Sequence, residues 1–158
     1  MPAGADPIRR PAPPDDNRWQ RGTVIDALYL ADTDACAWAE WYRHLAERAL
    51  PPQVALPRDL WRYDVALIEV ADLSSAARLA RVDLPLPQPG RQGWAAFQAV
   101  GEQLHREGWR GLIAPSAARP ISIVLAVFVR GGWVAPEVRA VNSTRVDAPP
   151  APPTGMRT

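Results

Sequence analysis

There is no lysine in this chain of 158 residues, and all 18 of its basic residues are arginine. A guanidinium grips a phosphate or carboxylate with two parallel N–H groups, which an ammonium cannot do, although a GC-rich genome also yields chains rich in Arg, Ala and Pro. Cysteine is nearly absent. Cys36 alone excludes an intrachain disulfide and fits a reducing cytoplasm, and its place in a helical pattern gives it a packing role. His44 and His105 are the only histidines, and no H-E-x-x-H or C-x-x-C occurs, so no metal-ligand spacing is present. Both read as solvated helix residues. No run approaches the ~20 apolar residues of a membrane helix, and no apolar stretch near the N-terminus resembles a signal peptide. The net charge of +1 provides no bulk attraction to nucleic acid or lipid. Neither G-x-G-x-x-G nor G-x-x-x-x-G-K-[ST] is found, which excludes the usual Rossmann and P-loop routes to a nucleotide. Ser116 lacks the G-x-S-x-G setting of a serine hydrolase.

What remains is 47% hydrophobic and holds seven tryptophans, enough for one buried core. Residues 1–16 carry five prolines and read as an arm, residues 17–146 as the domain, and residues 147–158, with four more prolines, as a tail. Residues 27–31 read as a strand, and Asp32, Thr33 and Asp34 offer caps for a helix from Asp34 to Leu50. Trp38, Trp41, Tyr42, Leu45 and Ala49 form its apolar stripe. Arg62 to Val70 reads as one strand, Asp72 to Ala80 as a short capped helix, and residues 83–93 as a loop. A helix from Trp94 to Glu107 is stopped by Gly108. Strands follow at Gly111–Pro115 and Ile121–Val129, with an edge strand at Glu137–Val141. This order predicts a single α+β domain with a mostly antiparallel sheet and flanking helices.

Polar residues border the apolar segments. Arg18 and Arg21 precede the first strand, Tyr29 lies in it, Glu40 lies in the following helix, Ser116 ends a buried strand and Arg119 follows. Each has an ordinary structural alternative: a solvated arm for Arg18, core for Tyr29, a turn cap for Ser116. Glu40 falls opposite the tryptophan stripe, where a surface ion pair with Arg43 or His44 is the simple assignment.

In order, Asn17-Arg18-Trp19-Gln20, Ala27-Leu28-Tyr29-Leu30-Ala31 and Ala37-Trp38-Ala39-Glu40 resemble the opening of the RES domain. Asp64 to Leu73 resembles its central strand. Gln98 to Glu102 with Gly108 to Arg119 resembles its second half. Asn17 stands where the family usually has glycine, and many members carry a longer N-terminal segment. The resemblance implies a fold similar to ADP-ribosyltransferase toxins and membership in RES–Xre toxin–antitoxin pairs. It implies cleavage of the nicotinamide–ribose bond of NAD, by hydrolysis or with phosphate as co-substrate, in the cytoplasm. The implied catalytic residues are Glu40, Arg18 and Tyr29, and the substrate-binding residues are Arg18, Tyr29, Ser116 and Arg119. Glu40 would face the positive charge that develops on the sugar, Arg18 would grip the pyrophosphate, Tyr29 would pack on nicotinamide or ribose, and Ser116 would fix ribose or phosphate. No metal or bound cofactor is implied. The expected partners are NAD and an Xre-type antitoxin, not a membrane or nucleic acid, with homo-oligomers left open. The alternatives are a protein ADP-ribosyltransferase, a non-catalytic interaction module of the same fold and, last, a ribonuclease toxin.

Overall fold

The computed structural model describes residues 1–8 and 14–157; residues 9–13 of the arm and Thr158 lie outside it. Strand β1 (Asp26–Ala31) is followed by helix α1 (Asp34–Glu47) and strand β2 (Arg58–Val65). Next come β3 (Val70–Asp72), α2 (Ala76–Ala80), α3 (Trp94–Arg106), β4 (Gly111–Pro115), β5 (Ile123–Val129) and β6 (Val138–Val146). The strands form a four-stranded sheet in the order β1-β5-β4-β3 and a two-stranded sheet, β2-β6. Every pairing is antiparallel except β3 with β4. The α+β class and the mostly antiparallel sheet are as the sequence predicts.

The run from Arg62 to Val70 is not one strand. Its first half continues β2 and pairs with β6, while Val70 opens β3 against β4. Between them Glu69 takes φ +58°, and its carbonyl accepts the N–H of Arg110. Two distant partners divide the segment, and β-propensity carries no signal of where one sheet ends and another begins. For the same reason the strand expected at residues 137–141 runs on to Val146 along β2.

One core fills the space between the four-stranded sheet and helices α2 and α3. It holds Trp19, Ala27, Leu79, Phe97, Leu112, Ala126 and Phe128. A second, smaller cluster (Leu28, Val127, Val129, Val134 and Val138) lies on the other side of the sheet. The faces separate because neighbours on a strand point to opposite sides, as Ala27 and Leu28 do. Helix α1 starts where Thr33 caps the backbone N–H of Cys36, and it crosses the ends of β4 and β5. The arm reaches the two-stranded sheet through a bridge from Pro2 to Arg58. The tail returns to the domain, where the carbonyl of Pro150 accepts the hydroxyl of Tyr42 and that of Ala118 accepts the N–H of Arg157. Among the described residues, no helix is long and apolar enough to cross a membrane.

Candidate active site

Arg18 enters the domain on a tight turn. Asn17 and Gln20 exchange backbone hydrogen bonds, and the Gln98 side chain on α3 donates to both of their carbonyls at 3.0 and 3.2 Å. Trp19 is anchored edge-on against Phe97, with centroids 5.1 Å apart. The turn buries Arg18 to 8% exposure, so it is not a solvated arm residue. Its Nη2 donates to the carbonyl of Gln88 at 2.5 Å and more weakly to that of Gly90, and its guanidinium lies 5.2 Å from the Phe97 ring centroid. Burial and then the neighbouring Arg43 lower its pKa to about 10, against the attraction of Glu40, Glu47 and Tyr29. It stays charged at neutral pH. Tyr29 stands beside it on β1, and its hydroxyl accepts the N–H of Trp19 at 3.2 Å.

Glu40 projects from the middle of α1. Its Oε1 accepts the Ser116 hydroxyl at 2.6 Å and, more weakly, the N–H of Ala118 at 3.4 Å. Its Oε2 accepts Arg43 Nε at 2.9 Å. Burial pushes this carboxyl up, but Arg43, the Ser116 hydroxyl and the Ala118 amide outweigh burial and hold it below the usual carboxylate range. The ion pair with Arg43 exists, but not at the surface: the side chains of Arg43 and Glu40 are only 6% and 20% exposed. Arg43 also binds Glu47, and Glu47 Oε1 accepts the N–H of Gly90 at 3.1 Å. The loop that receives Arg18 is thus tied to the helix that carries Glu40.

These groups border a cavity of about 310 Å³. Arg18, Tyr29, Glu40 and Arg43 share its walls with Trp38, Trp41 and His44, while β2 contributes Arg58 and Asp59. Trp38 and Trp41 meet edge to face at 5.3 Å, and Arg58 sits 5.9 Å from the Trp41 ring centroid. An open groove of about 1030 Å³ between the two sheets adjoins the cavity and shares Asn17, Tyr29 and Ala31 with it. Ser116 lies behind Glu40 and is fully buried; its own backbone N–H is held by the carbonyl of Ser122. Arg119 does not line the cavity. Its guanidinium binds the Ser122 hydroxyl and the Thr154 carbonyl, and its backbone N–H donates to Ser116 Oγ at 2.9 Å. Arg21 is away from the cavity, in a two-point pair with Glu102 at 2.5 Å.

Arg18, Tyr29, Glu40 and Ser116 therefore converge. The residues that sequence reasoning missed are Arg43, Trp38, Trp41 and the β2 pair. The tryptophans were legible as an apolar stripe but not as a wall, though two of them closely flanking an acid in one helix were a usable sign. His44 is partly solvated, its side chain 38% exposed, and it lines the cavity; burial of the rest, then Arg43, lowers its pKa to about 4, so it is neutral at neutral pH. Burial pushes the Cys36 thiol up to about 12, which keeps it protonated and poorly nucleophilic. Among the described residues, no group of three His, Cys, Asp or Glu side chains is placed to hold a metal ion. An ionised carboxylate with a fixed orientation, set in an aromatic-walled cavity beside a buried arginine, can favour a cation forming next to it and hold an anionic group nearby.

Comparison with known proteins agrees with this architecture. The model of the RES domain matches residues 3–150. No curated protein matches the sequence. A solved structure described as the crystal structure of the M. tuberculosis MbcT–MbcA toxin–antitoxin complex contains a similar chain, with a TM-score of 0.79 at 22% identity. The superposition covers 93% of this chain and 81% of that one. At that identity the likeness is one of fold.

Proposed function

This chain belongs to the RES-domain family, and from that premise we propose that it splits the nicotinamide–ribose bond of NAD and serves as the toxin of a toxin–antitoxin pair. The observation that carries the reading is the Glu40 carboxylate, held ionised by Arg43, Ser116 and Ala118 at the wall of the cavity. Breaking the bond sends its electron pair out with nicotinamide, which leaves neutral, and positive charge gathers on the ribose. A carboxylate already oriented by three donors stabilises that charge without reorganising. Ser116, bound to Glu40, sets the carboxylate's angle. Arg18 has spent Nη2 on backbone carbonyls and offers its remaining donors to the pyrophosphate. Tyr29, Trp38 and Trp41 exclude water from the reacting end.

The cavity is at the small end of the ~300–1,000 Å³ that ligand sites span, so it suits the nicotinamide riboside half. The adjoining groove has room for the other half. Water or phosphate then adds to the anomeric carbon and releases a proton. A protein of this activity in the cytoplasm needs a neutralising partner, and an Xre-type antitoxin covering the cavity mouth would supply it. The solved relative was crystallised as a toxin–antitoxin complex.

The test is to incubate the purified protein with NAD, with and without phosphate, and to follow free nicotinamide and the sugar product. Nicotinamide with ADP-ribose indicates hydrolysis, and a phosphorylated ADP-ribose indicates phosphorolysis. Label from NAD appearing on protein instead would make the chain a transferase. No turnover by a folded sample would reduce it to an interaction module.

A further inference from the structure

Arg43 is buried to 5% exposure, and the sequence gives no reason for it to be. A buried guanidinium without partners is costly, and this one is enclosed by acceptors. Nε and Nη2 both lie 2.9 Å from Glu40 Oε2, Nη1 binds Glu47 Oε1, and Nη2 also stands 3.2 Å from His44 Nε2. Glu47 in turn accepts Gly90 N–H, while the Gly90 carbonyl faces Arg18. A chain of polar contacts therefore runs from Ser116 through Glu40, Arg43, Glu47 and Gly90 to Arg18. Arg43 is its centre and the one member that touches both carboxylates.

We propose that Arg43 is a positioning residue of this site: its guanidinium fixes the second oxygen of the Glu40 carboxylate and ties that carboxylate, through Glu47, to the loop that seats Arg18. The inference rests on reading Glu40 as the carboxylate that faces the reacting sugar. Ser116 and Ala118 hold only Oε1, so Arg43 fixes the second oxygen and thereby the carboxylate plane. Planar donors suit this task, since a lysine offers one point charge where the fork offers separate N–H groups to Glu40 and Glu47. The charged and titratable groups around the pair are Arg18, Tyr29, Cys36, His44 and Glu47, with Arg58, Asp59 and the Met1 amino group facing it across the cavity. Arg18 acts on Glu40 in the same sense as Arg43, and Glu47 acts in the opposite sense. Neutral His44 adds no charge near pH 7.

The experiment is a pH titration of the protein labelled with ¹³C at the glutamate carboxyls, the Glu40 signal being assigned by its loss in Glu40→Gln. In Arg43→Gln the Glu40 midpoint should rise by about one pH unit or more, because an opposite charge within ~4–6 Å is worth 1–3 units. Arg43→Lys, which keeps the charge and loses the fork, should give a midpoint between those of wild type and Arg43→Gln. If NAD is cleaved, the acid limb of kcat/KM should move with the midpoint, and kcat at neutral pH should fall by up to ~10²-fold with KM changed less. An unchanged Glu40 midpoint in folded Arg43→Gln, or in folded Arg43→Ala where the glutamine variant does not fold, overturns the proposal, whatever the activity. A shifted midpoint in a protein that does not cleave NAD leaves the positioning role standing and removes the NAD reading.

Discussion

Helix α3 turns one side to water. Ala95, Ala96, Ala99, Gln103 and Arg106 are exposed, while Trp94, Phe97, Gln98, Gly101 and Glu102 are buried. Helix α1 exposes only its ends, Asp34, Ala46 and Glu47; no residue from Ala35 to Leu45 is exposed. Both helices carry an amphipathic pattern, but an amphipathic pattern says only which face is apolar. It does not say that the polar face meets solvent. In α3 the polar groups near the core serve packing: Gln98 holds the turn that carries Trp19, and Glu102 receives Arg21. In α1 the polar face is itself an interior surface, with charges paired to one another beside a cavity. Burying charge adds little stability even when it is paired. A helix whose charged face is largely covered along its middle turns therefore points to a site on that face.

The contrast can be broken most sharply at Glu40. Glu40→Gln keeps shape and loses charge, so nicotinamide release should fall by ~10²–10³-fold while folding is retained. Chromatography of released nicotinamide measures it, and a wild-type rate would make Glu40 a structural partner of Arg43 and nothing more. On α3 the matching change is Gly101→Ala. A Cβ there would stand 2.1 Å from the Trp19 carbonyl oxygen, so the helix or the turn must move. Urea unfolding should register a loss of about 1–3 kcal/mol. Unaltered stability would mean that the Trp19 turn is not fixed by α3.

Arg18 lies between the two helices and takes part in both roles. Arg18→Lys keeps the charge and loses the fork, at a cost of about 1.5 kcal/mol, or about tenfold in KM for NAD. Steady-state kinetics should show kcat changed less. A lower kcat at constant KM would move Arg18 from binding to the chemical step.

The effect that is smallest at neutral pH concerns the two histidines, one on each helix. The pKa of both is lowered chiefly by burial, and that of His44 is the more depressed, at about 4. The unfolded chain therefore takes up a proton on His44 near pH 6.5, well before the folded one does. This contribution to stability is full above pH 6.5 and is lost as the pH falls from 6.5 towards 4. Proton NMR should find His44 the later of the two to titrate as the pH is lowered. His44→Gln should flatten the fall in stability across that window. A His44 midpoint near 6.5 would mean that neither burial nor Arg43 acts on the ring and would return α1 to the ordinary pattern.

Much of the fold was legible because its signals are local. The cap at Thr33, the stop at Gly108 and the apolar runs of β1, β4 and β5 each depend on residues near one another in the chain. The break between β2 and β3 and the length of β6 depend on partners as far apart as Arg58 and Val146, and no local pattern encodes them. At the site, residue types alone left Arg18, Tyr29, Glu40 and Ser116 with ordinary structural alternatives. Their order in the chain suggested the family, and the fold brought them together. Arg43 escaped because a charged residue opposite an apolar stripe has water as its default neighbour.

Strand β5 lies between β1 and β4, although it follows both in the chain. Ser116, which holds Glu40, sits in the connection between β4 and β5, with its backbone tied to Ser122. While the chain is being synthesised, residues 18, 29, 40 and 43 emerge early but have no sheet to gather them. The wall behind Glu40 cannot form until residues 123–129 have left the ribosome and inserted between strands made before them. The site is therefore complete only once β5 is in place, after the elements that carry Arg18, Tyr29, Glu40 and Arg43.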